Sequence, residues 1–263
     1  MKRIILFLFL TIFTQIGGLV YVFSKLIIRQ FGMQKSRSRF PIYLLCYLLI
    51  TLVIIPLIAP LFGRVTLPVF TNTNSNLKAG SYIGVLANRH YVKPELKNLL
   101  LDVASKLDDG ITLVYLDANF PFFENFPLLP HKSHDDGEKV DLAFIYQAGD
   151  QSFLNKAKGI LGYGVVEPPM GNEVDQTATC EKRGYWQYGI ITKIVAWFGK
   201  SNKYQFSAVQ NKKLLQILAK HKAVGKIFIE PHLKERLGLS RFRKIRFHGC
   251  AAVRHDDHIH VQL

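Results

Sequence analysis

Histidine and aspartate crowd two short stretches of this 263-residue chain, and those side-chain types suit a metal ion. The later stretch, Arg254-His255-Asp256-Asp257-His258-Ile259-His260-Val261-Gln262, ends in an alternating segment. Alternate residues of a strand share a face, so His258 and His260 can aim both imidazoles at one place, roughly 7 Å apart along the backbone. Far upstream, His131-Lys132-Ser133-His134-Asp135-Asp136-Gly137-Glu138-Lys139-Val140-Asp141 offers His134 and Asp141. That imidazole and carboxylate, with one later histidine, would make a three-ligand zinc site with a position open for water. Within a single helix His134 and Asp141 would lie about 10 Å apart along the axis, too far to share an ion. Gly137 favours a turn instead, and the β-rich run 140–146 puts Asp141 at the start of a strand.

The elements that must bring these stretches together begin after residue 64. Residues 1–64 contain no Asp or Glu and two long apolar runs, 4–23 and 40–62. Each run is long enough to cross a hydrocarbon core of about 30 Å, which predicts two transmembrane helices. A secretory signal peptide is the other reading of the first run, but no small-x-small cleavage site follows it. The connector carries Lys25, Arg29, Lys35, Arg37 and Arg39 against Lys2 and Arg3 before the first run, which puts the connector in the cytoplasm. Everything after Arg64 then faces the periplasm or the cell exterior. Pro56 and Pro60 should bend or loosen the second helix.

Residues 65–80 read as a polar tether, with Thr71-Asn72-Thr73-Asn74-Ser75-Asn76 its turn-rich centre, and 81–263 as the functional domain. A helix is expected from Pro94 through Leu107, stopped by Gly110, followed by a buried strand at 111–116. Further on, a helix at 211–222, a strand at 227–230, a short helix at 231–237 and strands at 245–247 and 259–263 are expected, whereas 190–198 fits either helix or strand. Strands and helices mixed without a regular βαβ repeat indicate an α+β fold with a small, mostly antiparallel sheet.

Of the net charge of +15, residues 1–64 hold 8 of the 34 Lys and Arg, so the remainder carries +7. That is too little, without a recognition motif, for nucleic-acid binding, and suits anionic envelope polymers or lipid headgroups as well as a solvated surface. Cys46 falls in the second apolar run. Cys180 and Cys250 could pair in an oxidising compartment or remain as two buried thiols.

His131-Lys-Ser-His134 followed by Gly137 and Asp141, with His255-Asp-Asp-His258-Ile-His260-Val261 downstream, resembles the penicillin-insensitive murein endopeptidases. More broadly it resembles the zinc peptidases that share a fold with lysostaphin, the D-alanyl-D-alanine peptidases and the hedgehog signalling domain. The likeness takes in Asn88-Arg89 before Pro94-Glu95-Leu96, and Ile227-Phe228-Ile229 leading to Pro231, so it covers roughly residues 85–262. The resemblance implies one zinc ion held by His134, Asp141 and His260, with His258 as the catalytic imidazole beside the attacking water. It places His131 and His255 in the pocket or behind the ligands, lets Asp256 or Asp257 fix a histidine tautomer, and offers Arg89 to a peptide carboxylate. Gln262 stands where the endopeptidases carry Arg. No His occurs between Asp141 and His221, so a second zinc is not expected.

The function these residues imply is that of a membrane-anchored zinc peptidase acting on peptidoglycan peptides, in the bacterial cytoplasmic membrane with its domain on the outer side. A non-catalytic, zinc-stabilised module binding envelope polymer or a protein is the reading from another class. A domain on the cytoplasmic side with an intracellular peptide substrate is a third.

Overall fold

The alternating run after Gly137 forms a strand, Lys139–Ala143, whose Val140 and Leu142 enter the core while Asp141 takes the other face. The structure is a computed structural model that describes residues 1–33, 36–73, 75–159, 162–189 and 204–263. Its strands are β1 (Val65–Thr66), β2 (Leu77–Ala79), β3 (Tyr91–Val92), β4 (Leu113–Tyr115), β5 (Lys139–Ala143), β6 (Tyr146–Gln147), β7 (Gln205–Phe206), β8 (Lys226–Phe228), β9 (Ile245–Arg246) and β10 (His258–Gln262). Six of them form one mixed sheet in the order β2-β4-β5-β10-β8-β9. The outer pairs β2–β4 and β8–β9 are parallel, and the three inner pairings are antiparallel. With the helices around it this is an α+β fold.

The helices are α1 (Lys2–Thr14), α2 (Gly17–Gln30), α3 (Ser36–Leu49), α4 (Ile55–Ile58), α5 (Tyr82–Leu86), α6 (Pro94–Ser105), α7 (Gln176–Lys182), α8 (Ala208–Lys220) and α9 (Pro231–Arg236). In α6 the apolar positions Leu96, Leu99, Leu100, Val103 and Ala104 recur at threes and fours and are all buried, and Pro94 sits in the first turn where no donor is lost. α8 buries Leu214, Leu215, Leu218 and Ala219 in the same core. Its Asn211 is fully buried, accepts from Ile145 N and donates to Ile145 O and Ser207 O, so one amide side chain pins α8 to the chain beyond β5. The run 190–198 lies outside the described residues.

The apolar segments depart from the expected pair of spanning helices. Among the described residues one helix is long and apolar enough to cross a membrane, the 24-residue Arg39–Phe62. Residues 4–23 instead break into α1 and α2, each about 20 Å long and short of a hydrocarbon core of about 30 Å. The break is at Gln15, whose φ of 65° is left-handed. Gly17 and Gly18 then let α2 fold back onto α1: a Cβ on Gly17 would lie 2.9 Å from Leu10 O, and one on Gly18 2.8 Å from Phe7 O. Only glycine fits so close a backbone approach. In the long helix the turn at Ile50–Ile54 is π-helical and Ala59–Phe62 is 3-10. Pro56 and Pro60, which each lack a donor and crowd the preceding turn, account for both distortions.

The helices and the domain are joined by specific contacts. Gln15 accepts from Phe122 N at 3.0 Å, Asn88 donates to Thr14 O at 3.3 Å, and the Tyr47 hydroxyl donates to Leu86 O at 2.6 Å. Ile16, Val20, Ile55, Ala59 and Tyr91 share one buried cluster. Residues 65–80 contribute β1, paired with β3, and β2, on the edge of the main sheet. Cys180 and Cys250 form a disulfide, settling the alternative that composition left open.

Candidate metal centre

Register places the two halves of the site side by side. β10 pairs with β5 so that His260 lies directly opposite Asp141 and His258 opposite Ala143. Ile259 and Val261 alternate inward to the core, leaving both imidazoles on the face that Asp141 occupies. His134 arrives from the β4–β5 connection. There His134 N donates to His131 O, and Gly137, at φ 81°, presses its Cα side against the buried Arg64 guanidinium where a Cβ would collide.

The convergence is tight. His134 Nε2 lies 3.2 Å from Asp141 Oδ1 and 3.1 Å from His260 Nδ1, and His260 Nδ1 lies 2.9 Å from the same carboxylate oxygen. His258 Nε2 is 3.7 Å from that oxygen. Asp141 is fully buried, and His134, His258 and His260 are nearly so. His131, His134 and Asp141 also offer three ligand atoms within 4.8 Å of one another, so a buried His/Asp group able to hold a metal ion is present.

The protons show why a cation suits this group. His134 Nδ1 faces Ala118 O at 2.7 Å, and a carbonyl only accepts, so Nδ1 carries the hydrogen and Nε2 of the neutral ring presents a lone pair. That lone pair points at a carboxylate oxygen and another ring nitrogen. One proton on His260 Nδ1 can satisfy a single contact of the three, whereas a divalent ion satisfies all. The distances among the three atoms are close to those across the faces of a tetrahedral site with bonds of about 2.0–2.1 Å. Behind the ligands, the Ala118 carbonyl orients His134 in the manner usual for a metal-bound histidine.

Electrostatics sort the remaining histidines. Burial pushes His260 down to about 4, so it is neutral at pH 7 with a lone pair to offer. Burial likewise takes His255 well below its ordinary value. His131 behaves oppositely: burial opposes its charge, but Asp141 and Asp117 outweigh it and raise the ring to about 10. His131 Nδ1 stands 3.1 Å from Asp141 Oδ2 and 3.3 Å from Asp117 Oδ2, between two carboxylates, and is at the same time one of the three candidate ligand atoms. His258 is also raised, by Asp141 and Asp257 acting against burial. Its Nδ1 donates to Asp257 Oδ1 at 2.5 Å, and Asp257 Oδ2 accepts from Gly164 N. His258 Nε2 is buried and has no hydrogen-bond partner among the described residues, so it is free to exchange a proton in the site.

The other expected residues fall as follows. The His255 ring packs 4.9 Å from that of His258, and its backbone N–H donates to Glu230 Oε1. Arg89 donates to Asp117 at 2.8 Å and to Leu129 O, so its guanidinium braces Asp117, which in turn faces His131. Asp256 pairs with Arg254 instead of orienting a histidine. Sequence reasoning missed Tyr163, whose hydroxyl donates to Asp141 Oδ2 at 2.8 Å and accepts from Asp117 N. It missed Asp117 as well. Glu230, read from sequence as a strand-end carboxylate in water, is 1% exposed and accepts from Tyr188 OH at 2.5 Å. None of these belongs to a spaced motif; each reaches the site from a loop or an element end.

Two cavities meet at the cluster. One, of about 530 Å³, is lined by His134, Asp141, His248, His255 and His260 with Trp186. The other, of about 420 Å³, runs from Arg89, Asp117 and Tyr163 to Phe9 and Phe13 of α1 and to Ile83 and Gly84 of α5. Pro130, His131, Val253 and His258 line both. No protein-family model matches the chain, and no curated protein matches its sequence.

Proposed function

We propose that this chain is a membrane-anchored zinc peptidase that hydrolyses amide bonds in peptidoglycan stem peptides or cross-links on the outer side of the cytoplasmic membrane. The observation that carries the reading is the meeting of His134 Nε2, Asp141 Oδ1 and His260 Nδ1 within 3.2 Å of one another, beside the unpartnered Nε2 of His258. Those three side chains would hold one zinc ion, which when bound brings the pKa of a water near 7 and polarises the scissile carbonyl. His258 Nε2 takes the proton from the attacking water and returns it to the leaving amine nitrogen. Asp257, on the far ring nitrogen, fixes the tautomer this requires and stabilises the ring while it holds both protons. His131, kept protonated between Asp117 and Asp141, presents positive charge where the carbonyl oxygen gains negative charge.

The spacing of the two motifs, and their resemblance to those of the murein endopeptidases, supports the substrate class. The fold-back of α2 brings Lys2 and Arg3 to the end of α2 that carries Lys25 and Arg29, with Arg39 at the start of the long helix and Arg64 at its other end. Five basic residues against one support a cytoplasmic place for the first end and an outward-facing domain. The Cys180–Cys250 disulfide agrees with an oxidising compartment.

Full-length protein in detergent should bind about one zinc and release stem fragments from isolated murein. His258→Ala should keep the zinc and lose turnover; wild type that is fully metallated yet inert on murein overturns the proposal. A non-catalytic, zinc-stabilised module for envelope polymer is the second reading, favoured by Gln262 in place of Arg and by the engagement of Arg89 with Asp117. Polymer binding by metallated wild type without any cleavage would select it.

A further inference from the structure

The smaller cavity has a feature the peptidase reading does not use. One end is the chemical cluster; the other opens between two elements whose free surfaces are apolar. On α1, Phe9 and Phe13 pack ring to ring with centroids 4.5 Å apart and are each about half exposed. On α5, Tyr82 and Ile83 are more than half exposed, and Phe70, 66% exposed, packs on Tyr82. α5 lies beside the apolar helix Arg39–Phe62, tied there by Tyr47 to Leu86 O well short of that helix's outer end. The mouth of this cavity therefore stands at the level of the helices, not above them. The same histidines are also reached from the other side, through the histidine-lined cavity.

A peptide alone needs only the histidine-lined cavity. A groove that starts in apolar helices and ends at His131 and His258 matches an amphiphile whose cleavable amide sits in one cavity and whose hydrocarbon chain lies in the other. We propose that the site acts on peptides covalently attached to a long acyl or prenyl chain, and that the groove between α1 and α5 holds that chain while the carrier remains in the bilayer. This rests on the peptidase reading for the chemistry, but the groove's occupant can be tested without turnover. Helix faces that are apolar all round belong in lipid, and a groove continuous with such faces gives a tail a path that never crosses water. His131 and His258, which line both cavities, sit where the tail meets the amide.

The experiment uses full-length protein in nanodiscs and two probes, a murein stem peptide and the same peptide with an N-terminal palmitoyl chain. Each methylene taken from water is worth about fourfold, so four of them in the groove favour the palmitoyl peptide by about 10²-fold in kcat/KM. Partition into the nanodisc also favours it, so the decisive quantity is the change in that ratio in two variants. Phe9→Ala with Phe13→Ala removes one wall. Gly84→Leu fills the groove without strain, since a Cβ there meets nothing nearer than 3.9 Å. Both should bring the ratio down at least tenfold; an unchanged ratio in Gly84→Leu overturns the proposal. Should neither peptide be cleaved, the peptidase reading fails and the binding arm still decides. A palmitoyl peptide with a diazirine on its chain should crosslink to Phe9, Phe13 or Ile83, with the unacylated peptide unable to compete. Crosslinking spread evenly over Leu45, Leu49 and Leu57 of the long helix, or equal labelling of the groove by a diazirine phospholipid, would mean bilayer lipid fills it and would overturn the proposal.

Discussion

At the scale of single residues, the proposed chemistry divides the site into groups that would bind a metal and groups that would move a proton. Asp141→Asn removes the charge at which four imidazoles converge and should abolish metal binding, measured by equilibrium dialysis with zinc. His258→Ala should leave the metal stoichiometry near one and lower kcat by about 10²–10⁴-fold, the usual contribution of a general base. Asp257→Ala should act through His258, costing roughly 10- to 100-fold in activity while zinc content holds. Glu230 gives a prediction free of the metal. Burial raises its carboxyl from 4.5 to about 7. Below pH 4.5 it is protonated in both folded and unfolded chains and costs nothing; as pH rises toward 7 the unfolded chain ionises first, so stability falls. Glu230→Gln should flatten that leg of the Tm-against-pH curve, and an unchanged slope would show the group ionises normally. His258 and His260 were legible because ligand types at a two-residue spacing on a strand must share a face; His134 and Asp141 were legible as ligand types clustered in one short stretch that resembles the upstream motif of the murein endopeptidases. Tyr163 and Asp117 were not, because each reaches Asp141 or its neighbour from an irregular segment with no period to read.

At the scale of elements, periodicity identified what packing could enforce. α6 and α8 were visible as apolar stripes because their buried faces repeat at threes and fours along a uniform core. α1 and α2 were read as one spanning helix because hydropathy sums over residues and is blind to a single left-handed Gln15. The signal was present in Gly17-Gly18, where close backbone approach needs glycine. Gly18→Leu should force the crossing open and lower Tm in detergent, with the loss shared by any larger side chain there. Asn211→Ala leaves Ile145 N without its side-chain acceptor, and Ile145 O with the Ser207 N–H alone, and should cost roughly 1–3 kcal/mol in urea unfolding.

On the whole-molecule scale, the disulfide and the candidate metal centre each close a long stretch of chain. The Cys180–Cys250 bridge spans 70 residues and should contribute about 3–5 kcal/mol, so reduction should lower Tm before it affects zinc content. The proposed outward orientation of the domain is tested by protease added to intact spheroplasts, where a C-terminal tag that stays protected would overturn it. The sheet itself bears on the timing of activity. β10 is the latest strand in sequence and stands in the middle of the order, between β5 and β8. The half made of β2, β4 and β5 and the half made of β8 and β9 have no common edge until residues 258–262 are synthesised and inserted. His258 and His260 are in that inserted strand, so the side chains of the candidate centre come together only when the sheet is complete. A peptidase of the proposed kind would carry no hydrolytic centre, and could not attack a wall, before that insertion.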